Sequence, residues 1–82
     1  MREYNRIVRN PEICGGQPTI RGTRVLVLDI LDWIQEGSSF EAIIDNFPAV
    51  TVEDIKEIIA YAKDMISGEI ISYGSDRSEI ST

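Results

Sequence analysis

An 82-residue chain with 43% hydrophobic and 27% charged residues holds one small domain, and that balance excludes wholesale disorder. The net charge of −6 excludes a general nucleic-acid sponge, the single Cys14 excludes an internal disulfide, and the absence of His removes the commonest general base and metal ligand. A domain of this size buries only about 60% of the surface its unfolded chain exposes, so a partner or a second copy is expected to support it.

The charge is unevenly placed. Residues 1–24 hold five Arg against Glu3 and Glu12, a local +3, whereas residues 25–82 hold two Lys and one Arg against twelve acids, a local −9. A basic arm that meets an anionic partner, on an acidic body, fits that asymmetry. The chain opens without an apolar run of the signal-peptide kind and has no stretch approaching eighteen apolar residues, so no membrane contact and a cytoplasmic location are expected.

In chain order, Tyr4 to Arg9 reads as a short strand ended by Asn10-Pro11, and Pro18 to Arg21 as a second, interrupted by Gly22. The two are expected to pair as a small ribbon, within the chain or across a dimer. Gly15-Gly16, Pro18 and Gly22 shape the loop that carries Arg21 and Arg24. From Val27 the period changes: Val27, Ile30, Leu31 and Ile34 fall on one helical face, with Asp29, Asp32 and Glu36 opposite and Gly37 as the stop. Leu26, Leu28 and Trp33 widen the apolar surface of this first helix and are expected at a dimer interface.

Ser38 with Glu41 fits a capping box for a second helix carrying Phe40, Ile43, Ile44 and Phe47, ended by Pro48. Thr51 with Asp54 repeats that signal, and Val52, Ile55, Ile58, Ile59, Ala62, Met65 and Ile66 carry a third helix to Gly68. The fold class expected is mainly α: a three-helix helix-turn-helix bundle with a short N-terminal β element, its domain spanning residues 1–68 with a β arm over 1–24. Residues 69–82 form a tail, whose Ile70, Ile71 and Tyr73 are expected either to contact a partner or to pack back on the third helix.

No catalytic residue, metal site or cofactor is expected. Cys14 has no side-chain base to activate it, and an acid stripe such as Asp29, Asp32 and Glu36 is far more often a solvated face than a cation site. Gly15-Gly16 is followed by no Lys-Ser/Thr pair, which sets aside a phosphate loop. The expected DNA contacts are Arg21 and Arg24, supported by Arg6, Arg9, Thr51 and Lys56. Against base reading by the third helix stand Glu53, Asp54 and Glu57 at its start.

The run YNRIVRNPEICGGQPTIRGTRV, followed by Gly37, Pro48 and Thr51-Val52-Glu53-Asp54-Ile55, resembles the bacterial family named domain of unknown function 433, related to VapB-type antitoxins. The resemblance covers roughly residues 6–66. It implies a homeodomain-like or winged-helix-like three-helix fold and dimerisation through the N-terminal strands, which would place Ile7, Val8 and Ile20 at the interface. It also implies a PIN-like ribonuclease toxin encoded by an adjacent gene. The expected function is therefore a dimeric, DNA-binding, antitoxin-like regulator that neutralises such a toxin; the alternative is a protein-protein interaction module without DNA binding.

Overall fold

The computed structural model describes residues 2–74. In chain order these form β1 (Arg2–Tyr4), β2 (Ile7–Val8), a single tight helical turn (Cys14–Gly16), β3 (Thr19–Ile20), α1 (Val27–Gln35), α2 (Phe40–Asn46), α3 (Val52–Ser67) and β4 (Ile71–Tyr73). Three helices thus carry a little under half of the described chain, flanked by two small sheets. None of these helices is long and apolar enough to cross a membrane.

β2 and β3 pair antiparallel, with Ile7 opposite Ile20 and Val8 opposite Thr19. The expected ribbon therefore closes within one chain. The Arg21 amide extends it by donating to the Arg6 carbonyl at 2.8 Å. All four ribbon side chains are buried, so Ile7, Val8 and Ile20 fill this chain's own core instead of lying on a surface open to a second copy. Leu26 is half-buried and bridges back to Thr19 just ahead of α1. Trp33 is also half-buried and packs edge-on against Phe47, with ring centroids 5.6 Å apart. Of the six side chains expected at a dimer interface, Leu28 alone is exposed, at 56%.

The core joins the ribbon to all three helices. Ile7, Ile30, Ile43, Ile55 and Ile58 are completely buried, and each contributes about 1.5–3 kcal/mol through the apolar surface it removes from water. α1 starts without a side-chain cap and stops at Gly37 as expected. α2 is capped by Ser39, whose hydroxyl accepts from the Ala42 amide at 3.1 Å, so the cap lies one residue later than the Ser38–Glu41 pairing implied. α3 opens with a complete capping box: the Thr51 hydroxyl accepts from the Asp54 amide, and the Asp54 carboxylate accepts from the Thr51 amide. It ends at Gly68.

The buried face of α3 differs from the expected one. Ile55 and Ile58 point inward as the spacing implies, but in the second half Tyr61 and Asp64 are buried, while Ile59, Met65 and Ile66 stand in solvent. The cause is the arm packed across that half of the helix. Tyr4 of β1 donates from its hydroxyl to the Asp64 carboxylate and meets the Tyr61 ring edge-on at 5.7 Å. Aromatic and polar residues thus cover a face that the spacing alone assigns to an apolar stripe.

β4 pairs parallel with β1, placing Ile71 beside Arg2 and Tyr73 beside Tyr4. A parallel pair needs a long crossover, and here the whole helical domain supplies it. The Tyr73 hydroxyl is hydrogen-bonded to that of Tyr61 at 2.9 Å, and the Gly74 amide donates to the Ile7 carbonyl at 2.9 Å. Gly74 lies so close to the Asn5 backbone that a Cβ there would collide with it. The boundary expected at residue 68 therefore falls inside the folded unit: Ile71 and Tyr73 pack on the core, and of the three expected tail contacts Ile70 alone is exposed, at 70%. The rest of the tail, 75–82, lies outside the described residues.

Removing residues 69–82 should accordingly lower stability by about 2 kcal/mol or more, since it strips a strand and a buried aromatic contact. For a domain of this length that is a fall of roughly 10 °C in Tm, read by circular dichroism. An unchanged melting curve would return the segment to the role of an accessory tail.

Candidate functional site

The Arg21–Arg24 loop is held by its own backbone. The Thr23 amide and hydroxyl both donate to the Ile20 carbonyl, at 3.0 and 2.8 Å, and the Thr23 hydroxyl accepts from the Val25 amide at 3.0 Å. Gly22 completes the turn at φ 79°, a left-handed conformation that a side chain would strain. Arg21 and Arg24 flank this turn, and both are exposed. Neither guanidinium has a hydrogen-bond or ion-pair partner among the described residues. The part played by Thr23 escaped sequence reasoning, although a hydroxyl one residue after a turn glycine is a recognisable signal.

The other two arginines expected at DNA are engaged within the chain. Arg6 lies between two acids of α3: its Nη1 donates to Asp54 Oδ1 at 3.2 Å, its Nε is 3.8 Å from Glu57 Oε1, and its amide donates to Glu57 Oε2 at 2.8 Å. Arg9 donates from Nε to the Gly16 carbonyl at 2.9 Å and sits 5.8 Å from the centre of the Tyr73 ring. Both side chains fasten the arm to the body, although both remain exposed. Thr51 is exposed, but its hydroxyl serves the helix cap. Lys56 is exposed on α3, as expected.

This arrangement alters the electrostatics at the start of α3. Of the three acids there, Asp54 is 6% exposed and Glu57 half-buried, both turned to Arg6, so Glu53 is the one left facing solvent. Beside them opens a cleft of about 480 Å³ lined by Asn5, Arg6, Ile20, Arg21, Ala49, Asp54 and Glu57. The loop arginine and the arm thus share one concave, polar surface. No group of three or more Cys, Asp or Glu side chains among the described residues is placed to hold a metal ion.

A second concavity, of about 280 Å³, separates α1 from α3. Val27 and Tyr61 contribute to its lining with Leu28, Leu31, Ala62 and Met65. Burial, together with the hydrogen bond to Tyr73, holds the Tyr61 phenol well above its ordinary pKa, so it stays neutral. Beyond this groove Ile66 is 88% exposed.

Residues 7–62, from β2 through the arginine loop and into α3, match the family described as "Protein of unknown function (DUF433)". The chain belongs to the DUF433 family. β1 and β4 lie outside the matched residues. The DUF433 chain is 35% identical over 57 residues to "Uncharacterized protein y4eO" of Sinorhizobium fredii (strain NBRC 101917 / NGR234), an overlap that takes in 70% of this chain. It spans 26% of that relative's length. It is also similar to the crystal structure of a DUF433 member protein from Anabaena variabilis ATCC 29413, with a TM-score of 0.70 and 28% identity over 95% of this chain and 70% of that one.

The Asp54 carboxylate serves both the α3 cap and Arg6, so its loss should exceed that of a simple cap. Thr51→Ala is expected to cost about 1 kcal/mol. Asp54→Ala is expected to cost about 2 kcal/mol, because it removes the reciprocal cap bond and leaves Arg6 with Glu57 alone. Urea unfolding of the two variants measures the difference, and equal losses would mean that the Arg6 contact adds nothing.

Proposed function

We propose that this DUF433 protein is a dimeric, antitoxin-like regulator that contacts operator DNA through the Arg21–Arg24 loop. In this reading its helices act as a helix-turn-helix unit of homeodomain-like or winged-helix-like type, and it neutralises a PIN-like ribonuclease encoded beside it. It has no catalytic activity of its own and works in the cytoplasm. The observation that carries the DNA contact is the pair of exposed arginines, their backbone held by the Thr23 turn and their guanidinium groups without partners among the described residues. The inward turn of Asp54 and Glu57 supports it by removing much of the repulsion that their positions at the start of α3 suggest. The resemblance to VapB-type antitoxins is what suggests the toxin.

A second reading, a protein-binding module without DNA, is favoured by the exposed apolar side chains Leu28, Ile59, Met65 and Ile66 on α1 and α3. Titration against the DNA upstream of the protein's own gene at several salt concentrations separates the two. Every phosphate that is no longer neutralised should lower the slope of log affinity against log salt by roughly 0.9, so a dimer without Arg21 and Arg24 forfeits several such units. In the first reading Arg21→Ala with Arg24→Ala weakens binding and flattens that slope. Absence of wild-type binding at low salt favours the second reading.

A further inference from the structure

We infer that the α1–α3 face is a self-complementary contact between two copies of this chain, in which Asp29, Asp32 and Glu36 of one copy meet Lys63 and Lys56 of the other across the apolar groove. The inference deepens the dimer of the proposed reading and is independent of whether that dimer touches DNA.

Three observations converge on it. The first is charge without partners. Asp29, Asp32 and Glu36 are all exposed, and no ion pair reaches them among the described residues, so three like charges at helical spacing repel one another on α1. Glu36 also caps the C-terminal end of that helix, where the backbone dipole favours a cation. The chain's two lysines, Lys56 and Lys63, are likewise exposed and unpaired among the described residues, and both lie on α3.

The second is spacing. Asp29 to Glu36 and Lys56 to Lys63 are each seven positions apart, about 10.5 Å along a helix. Leu28, in the first turn of α1, and Leu31, at its midpoint, line the groove with Ala62 and Met65 from the second half of α3. Trp33, near the end of α1, packs on Phe47, shortly before α3 begins. In the inferred contact α1 and α3 of each copy run in opposite senses. A two-fold axis along the groove lays α1 of each copy over α3 of the other at unchanged height, which brings Asp29 level with Lys63 and Glu36 level with Lys56.

The third is the apolar centre between the charged margins. On α3 the helical period carries the surface from Ala62 through Ile66 and Ile59 to Lys63 and Lys56; on α1 it runs from Leu31 through Leu28 to Asp32. The face is thus acidic on one margin, apolar in the middle and basic on the other, which is the pattern an isologous contact requires. In this arrangement Lys56 faces the second copy instead of DNA.

The test is a charge exchange followed by light scattering at micromolar concentration. The variants are Lys56→Glu with Lys63→Glu, and Asp32→Lys with Glu36→Lys; the second leaves Asp29 to complement the start of α1. Circular dichroism first checks that each keeps its helical content. The expected result is a wild-type dimer, at least a hundredfold loss of self-affinity in either variant alone, and recovery of the dimer on mixing them equally. Recovery follows because the mixed pair keeps the wild-type pairing on one side and restores opposite charges at the level of positions 36 and 56 on the other, where Asp29 alone meets a like charge, whereas each variant with itself sets like charges opposite one another. Variants that dimerise as wild type does place the contact elsewhere and overturn this inference while leaving the dimer standing. Folded variants that lose self-association and do not recover on mixing overturn the pairing. A wild type that stays monomeric overturns the inference and the dimer together.

Discussion

Arg6 is the contact on which the rest of the structure depends. It sits on the N-terminal arm, 48 residues from Asp54 and 51 from Glu57 in sequence, yet it joins both. That junction brings the arm to the start of α3 while Tyr4, two residues earlier, reaches Asp64 farther along the same helix. With the arm fixed at two levels, Ile7 and Val8 are carried into the core and β2 meets β3. The same acids that hold Arg6 also take part in the α3 cap or border the polar cleft, so helix start, arm and cleft form one unit.

The basic character of the first 24 residues is accordingly divided. Arg6 and Arg9 are structural: one bridges acids, and the other joins the Gly16 carbonyl to the Tyr73 ring. Arg21 and Arg24 remain available on a turn that Thr23 holds in shape. An arginine on a held turn loses less backbone freedom on meeting an anion than one on a loose loop, which is why this pair carries the proposed DNA contact. The acids show the same division: Asp54, Glu57 and Asp64 are turned to the arm, whereas those of α1 face solvent.

α3 has two apolar arcs to satisfy, because its large apolar residues spread over about half of its circumference. One arc, Ile55, Ile58 and Tyr61, packs into the core; another, Ile59 and Ile66, stays outside. A chain this small gains little by burying both arcs itself, and an exposed arc beside an apolar groove and two unpaired lysines is better matched by another surface than by water.

Much of the architecture was legible in the sequence because it is local. The Thr51–Asp54 cap, the stops at Gly37 and Gly68, the two short strands that form the ribbon, and the Gly22 turn between Arg21 and Arg24 all follow from residues a few positions apart. So did the family, from the spacing of Gly15-Gly16, Pro18 and Ile20 to Arg24. The tertiary structure alone decided which arc of α3 is buried, where the ribbon's side chains go, and that β4 belongs to the domain. Those outcomes depend on Tyr4 finding Asp64 across 60 residues and on Tyr73 finding Tyr61 once β1 and β4 lie side by side. Helical periodicity reports that a face is apolar; what covers that face is set by chain segments that no local pattern brings together.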